Sequence, residues 1–161
     1  MPKLRLVPSL LALALVAVAP AGAALALAAD DSGVAPIEVA DVGVRMSGFR
    51  SDEGKVMVAL FRGSDGFPSS PDKAYRSAIT KIRGGRASVD FIDLPPGEYA
   101  ISVIHDENNN DTLDTNFLGI PKEGIGTSNN AKARFGPPKF RDAKFSVGAG
   151  DVTQRIKIVY L

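Results

Sequence analysis

From residue 37 onward, short apolar runs alternate with turn residues, and within the runs the apolar positions recur with the two-residue period of β-strands. "IEVADVGVRMSGF" (37–49) predicts the first strand, and "RSDEG" (50–54) turns into the second, "KVMVALFR" (55–62). There Val56, Val58 and Leu60 share one face while Met57, Ala59 and Phe61 share the other. Two apolar faces predict a central strand. "GSDGFPSSPDKAYRS" (63–77) reads as a loop with room for one helical turn at 72–76. "AITKIR" (78–83) and "RASVDFIDL" (86–94) flank Gly84-Gly85, a pair suited to a tight hairpin because both residues reach positive φ. Ala87, Val89 and Phe91 alternate with Ser88 and Asp90, so the second of these strands has one wet face. Pro95-Pro96-Gly97 turns the chain into "EYAISVIHD" (98–106), where Tyr99, Ile101 and Val103 point one way and Ala100, Ser102 and Ile104 the other. Region 105–139 shows no strand or helix pattern. "KFRDAKFSV" (139–147) and "DVTQRIKIVYL" (151–161) predict two closing strands joined through Gly148-Ala149-Gly150. About seven strands with frequent turns predict an all-β, antiparallel sandwich of prealbumin or immunoglobulin type. A long irregular loop region would lie at one end, and the pattern leaves strand order open.

The first residues follow a different pattern. Lys3 and Arg5 precede an apolar run from Leu6 to Ala29, interrupted by Pro20 and Gly22. Ala26-Leu27-Ala28 then stands just before Asp30 and Asp31. This is the layout of a secretory signal peptide over 1–28 with an A-x-A cleavage site; Ala21-Gly22-Ala23 offers an earlier cut. An uncleaved anchor is the competing reading of so long a run. A polar linker (29–36) and a single domain (37–161) follow.

Processing changes the charge balance. The chain holds 19 Lys and Arg against 18 Asp and Glu, a formal +1. Loss of Lys3 and Arg5 leaves 17 bases facing 18 acids, a net of −1. No basic stripe runs along the mature sequence, so a nucleic-acid partner is not expected. No membrane partner is expected after cleavage, and the reading is periplasmic or secreted. The chain has no cysteine. The exported domain therefore needs a hydrophobic core in place of disulfides, and thiolate metal sites are excluded.

The densest polar stretch is "HDENNNDTLDTN" (105–116). Against the calcium-loop pattern D-x-[DN]-x-[DN]-G, Asp106, Asn108 and Asn110 take the first, third and fifth places. The Thr112 carbonyl would serve at the seventh place and Asp114 at the ninth. Asp111 occupies the sixth place, where positive φ favours glycine, and Phe117 occupies the twelfth, where a bidentate glutamate is usual. Glu107 or Glu123 could add charge. These mismatches predict weak affinity, with a dissociation constant of roughly 10⁻⁴–10⁻³ M. Two other readings stay open: a loop whose Asx side chains cap its own backbone, and a ligand or catalytic site.

His105 is the only histidine. Beside Asp106 it admits an acid–base role, yet no nucleophile with a third, orienting group accompanies it. Zinc would need more nitrogen or sulfur ligands than the chain has. "GIPKEGIGTSNNAKARFGPP" (119–138) brings Glu123, Ser128, Asn129, Asn130 and Arg134 together among glycines. With His105 and Asn116 they are candidates for a polar ligand pocket over a floor of Phe67, Pro68 and Phe135. The opposing reading is a surface loop held by those same hydrogen bonds.

"VALFRGSDGFP" (58–68), "DLPPGEYAISVIHDENNND" (93–111), "LDTNFLGIPKEGIGTSNNA" (113–131) and "RFGPPKF" (134–140) together resemble DUF2141, a family of small exported bacterial proteins. The likeness covers nearly all of the mature chain. Asp111 departs from it, standing where the family more usually has glycine. More loosely, "LPPGEYAISV" looks like the L-x-P-G-x-Y-x-V signature of transthyretin-like and carboxypeptidase-regulatory-like sandwiches. The first likeness implies an exported sandwich of no established activity. The second supports only the fold.

The combined expectation is a non-enzymatic exported module that binds calcium or a small polar ligand. Its partner would be an envelope or extracellular protein, or a saccharide. A hydrolase-like enzyme centred on His105 and Asp106, and a purely structural envelope protein, are the alternatives.

Overall fold

The computed structural model describes residues 38–132 and 136–161. The expected signal peptide, the whole linker, Arg134 and Phe135 lie outside them. Eight strands form, in chain order β1 (Ala40–Ser47), β2 (Lys55–Phe61), β3 (Arg76–Thr80), β4 (Arg86–Leu94), β5 (Gly97–Asp106), β6 (Gly124–Thr127), β7 (Phe145–Val147) and β8 (Val152–Lys157). A single α-turn, α1 (Phe140–Ala143), precedes β7. A three-stranded sheet runs β4-β1-β8 and a five-stranded sheet runs β3-β2-β5-β6, with β7 also paired to β5. The expected all-β sandwich is what forms, and every strand pair except β1–β8 is antiparallel.

Alternation decides what each sheet buries. From β1, Ala40, Val42, Val44 and Met46 point inward, joined by Ala87, Phe91 and Leu94 of β4 and Ile156 of β8. Val56, Val58 and Leu60 of β2 and Tyr99, Ile101 and Val103 of β5 meet them from the other sheet. The opposite faces of β2 and β5 are also covered: Ala59, Phe61 and Ala100 are buried. Phe67 pins the 63–75 loop there, with its ring 5.4 Å from Phe61 and 5.9 Å from Phe140. β2 is central, as its two apolar faces predict, and β5 lies beside it, between β2 and β6. The Pro95-Pro96-Gly97 turn is locked by buried Tyr99, whose hydroxyl donates to the Pro95 carbonyl at 2.8 Å.

Four expectations need correction. Gly84 and Gly85 do turn the chain tightly, at φ 60° and 70°, with Arg83 and Arg86 bridged antiparallel across them, but the pairing does not extend into the flanking strands. β3 pairs with β2 and β4 with β1, so the chain changes sheets as Ile82 drops into the core. The short helical turn falls at Pro71–Lys73 rather than 72–76. Residues 140–143 are helical, which leaves only 145–147 as strand. Finally, β6 lies inside the region that shows no pattern. Its glycines conceal it, because Ile158 and Tyr160 pack where their side chains would be. A Cβ on Gly124 would lie 2.6 Å from Ile158 Cγ2, and one on Gly126 would lie 2.7 Å from Ile156 Cγ2.

Candidate functional site

β5 carries the opening of the polar motif, and consecutive strand residues face opposite ways. His105 therefore turns inward and Asp106 outward. His105 is fully buried: its Nδ1 is 2.7 Å from the Tyr160 hydroxyl and its Nε2 is 2.9 Å from the Glu53 carbonyl. A carbonyl only accepts, so Nε2 carries the hydrogen and Nδ1 accepts from Tyr160. Tyr160 in turn accepts the Arg50 N–H at 3.1 Å, and the Phe49 ring stands edge-on to the imidazole at 5.2 Å. Both ring nitrogens are engaged and neither meets Asp106. The residues proposed as an acid–base pair thus lie in separate surroundings.

Asp106 organises the loop. Its carboxylate accepts the Asn110 N–H at 3.1 Å and the Asp111 N–H at 2.9 Å, and Lys55 Nζ lies 3.3 Å away. Burial pushes this carboxyl up, but the two N–H groups and the Lys55 ammonium outweigh it and hold it below the usual carboxylate range. Lys55 also reaches Asp111 at 2.7 Å; these acids raise its ammonium above the ordinary lysine value. Asn108 Oδ1 accepts from the Asn110 N–H at 3.1 Å. Asn110 Oδ1 accepts from the Thr112 N–H and hydroxyl, both at 2.9 Å. Asp111, in the sixth place, has φ 63°, the left-handed turn that the calcium-loop pattern requires there.

Asp114 Oδ2 accepts from Asn108 Nδ2 at 2.7 Å and Asn110 Nδ2 at 3.3 Å. Glu123, though distant in sequence, arrives on the chain leading into β6 and is almost wholly buried. One of its oxygens accepts the Glu107 N–H and the other the Asp114 N–H, each at 3.0 Å. A carboxylate from outside the loop thereby spans its second and ninth places, whereas Phe117 at the twelfth is 95% exposed. Among the described residues no three His, Cys, Asp or Glu side chains gather as a metal-holding group. Amide and main-chain oxygens would have to supply much of a calcium shell.

The other candidates serve the chain itself. Asn116 Oδ1 accepts from the Leu118 and Ile120 N–H groups at 2.9 and 3.0 Å, folding 116–120 into a tight tip. Ser128 Oγ accepts from the Ile101 N–H at 2.9 Å and donates to the Ala143 carbonyl at 2.7 Å, fastening α1 to β5. Asn129 donates to the Ala143 and Lys144 carbonyls at 3.2 and 2.8 Å. Asn130 accepts the Lys157 N–H at 2.8 Å and donates to the Arg155 carbonyl at 3.1 Å, as a neighbouring strand would. Lys55, Tyr160 and Arg50 were not singled out from sequence. Their partners lie more than fifty residues away along the chain, which leaves no local signal.

No curated protein and no solved structure matches the chain. Residues 44–155, well over half of the sequence, match the profile of a family described as "Uncharacterized protein conserved in bacteria (DUF2141)", and the chain belongs to that family.

Proposed function

We propose that this chain is an exported, non-enzymatic binding module whose Asp106–Asp114 loop takes up calcium. The observation that carries the reading is the turn itself. Asp106, Asn108 and Asn110 fold their side-chain oxygens back over the N–H groups of residues 110–112, around a left-handed Asp111. Such a turn directs alternate oxygens at one point, and an ion there would exchange the amide contacts of Asp114 for its own. The leader-like 1–28 segment supports export. The buried, doubly bonded His105 supports a role other than acid–base catalysis. With calcium bound, the ordered 105–131 segment would present a recognition surface to an envelope protein or saccharide.

A second reading is favoured by one observation. Among the described residues no buried side-chain N or O lacks a hydrogen-bond partner, so the loop is self-sufficient as a scaffold. Thermal unfolding of the mature chain in about 10 mM calcium against chelator separates the two. At ten to a hundred times its dissociation constant the ion adds about 1.4–2.7 kcal/mol, a rise of several degrees. That rise disappears in the Asp106→Ala/Asp114→Ala variant. An unchanged melting temperature up to that concentration rejects calcium and leaves the scaffold reading.

A further inference from the structure

The two outer faces of the sandwich differ. Loops and α1 cover Ala59, Phe61 and Ala100 on the outer side of β2 and β5, whereas the three-stranded sheet is bare on its outer side, where Arg45, Ser88 and Arg155 are exposed. Strand register composes that bare face. Arg45 of β1 pairs with Ser88 of β4 on one side and Arg155 of β8 on the other. One row on, Ser47 stands between Arg86 and Lys157. Neighbouring strands lie about 4.8 Å apart, and like charges directly opposite are destabilising. At the end of this face is a groove of about 630 Å³ whose lining includes Arg45, Lys81, Arg83, Arg86 and Arg155, the hydroxyls of Ser47, Thr80 and Ser88, and no acid. Asp90 pairs with Arg45 at 2.6 Å. Among the described residues Lys81, Arg83, Arg86, Arg155 and Lys157 make no ion pair, in a mature chain of net −1.

From this we infer that the groove binds a ligand bearing closely spaced phosphate groups. The guanidinium fork matches phosphate oxygens two at a time, hydroxyls supply further donors, and a concave site confines a compact anion better than a long polymer. The ligand chemistry occurs both in soluble oligophosphates and in anionic headgroups of a membrane surface. The latter would revise the expectation that the mature chain meets no membrane. This inference stands apart from the calcium reading, because it shares no residue with the loop.

The test is calorimetric titration of the mature chain with tripolyphosphate, beside inorganic phosphate and sulfate. Tripolyphosphate is expected to bind at least about tenfold more tightly than either single ion, with affinity falling as salt rises. The Arg86→Gln/Arg155→Gln variant, exposed at both sites, is expected to melt like the parent and lose at least about tenfold in affinity. Lys139→Gln/Arg141→Gln, which removes the same charge elsewhere, is expected to bind normally. Flotation with phosphatidylglycerol vesicles identifies the source: variant-sensitive capture points to headgroups, and no capture points to a soluble ligand. Tripolyphosphate binding that is absent at millimolar concentration, or equal in the Arg86/Arg155 variant, overturns the inference. So does an oligonucleotide whose affinity exceeds that of tripolyphosphate and grows with length, since that would assign the face to nucleic acid.

Discussion

Glu123 takes the N–H of Glu107 on one carboxylate oxygen and that of Asp114 on the other, both at 3.0 Å. This single buried side chain ties the start of the Asx-rich loop to its end, and it does so from the strand-entry side. Glu123→Ala leaves two amides without partners, so it is expected to destabilise the fold by about 1–3 kcal/mol per amide left buried. Hydrogen exchange at the amides of 107 and 114 should accelerate far more than at β1 or β4, and equal acceleration everywhere would contradict a local clasp.

Lys55 holds Asp106 and Asp111 from the neighbouring strand, in the position of a built-in counter-cation. Under the calcium reading, Lys55→Met should act in opposite directions on two measurements. Stability in chelator falls, while calcium affinity rises by about five- to tenfold, the effect of removing one nearby unit charge in a water-rich site. A variant that loses both would show the ammonium to be part of the site's framework instead.

Acid should loosen the same loop. The Asp106 carboxyl lies below the ordinary range in the folded chain, so the unfolded chain binds its proton first as pH falls. Its contribution is complete above the unfolded value, about 3.9, and is lost as pH drops through the lower folded value. Melting temperatures of the parent and Asp106→Asn should therefore differ by a constant amount from about pH 5 to 7 and converge below about pH 4. A gap that stays constant down to pH 2 would show that the charge of Asp106 contributes nothing.

The Ser128 hydroxyl joins α1 to β5. Ser128→Ala leaves the Ile101 N–H unpaired in a fully buried place, while the Ala143 carbonyl keeps its bond from Asn129, so the change should cost about 1–3 kcal/mol. Ser128→Gly should not rescue it, whereas Ser128→Thr restores the bonds if its methyl is accommodated. Chemical denaturation of the three variants gives the comparison.

Gly124→Ala should cost about 1–3 kcal/mol by overpacking, because its new methyl would fall 2.6 Å from Ile158 and 2.7 Å from the Tyr160 ring. Pairing it with Ile158→Ala should recover part of that loss. Additive losses in the double variant would refute steric conflict as the cause.

Much of the framework is legible in the sequence, and the lapses have physical causes. β2 declares itself central because both of its faces are apolar, and the Pro-Pro-Gly turn is read locally. β6 is hidden because its alternate residues are glycines, kept small by chain segments some thirty residues later. The Gly84-Gly85 turn is genuine, yet nothing local tells that Ile82 carries the chain across the core. Of the candidate site, the Asx spacing marks the loop but casts Asp111 as a mismatch, although it does take positive φ, and Glu123 is legible as extra charge or a pocket residue but not as the clasp between residues 107 and 114. The basic outer face is invisible as a stripe because Arg45, Arg86 and Arg155 come from three separated strands and meet only through register.

The parallel pairing of β1 with β8 also fixes the order in which the molecule can be completed. Residues 42–47 remain an open edge until residues 152–157 have left the ribosome, and Val159 must follow before it can bridge Ile125. The chain must therefore be synthesised through β8 before the smaller sheet closes. A nascent chain that lacks β8 keeps one edge of β1 unpaired and cannot finish folding early. Deleting β8 should accordingly yield a species that never reaches the native state, rather than a slightly weakened domain.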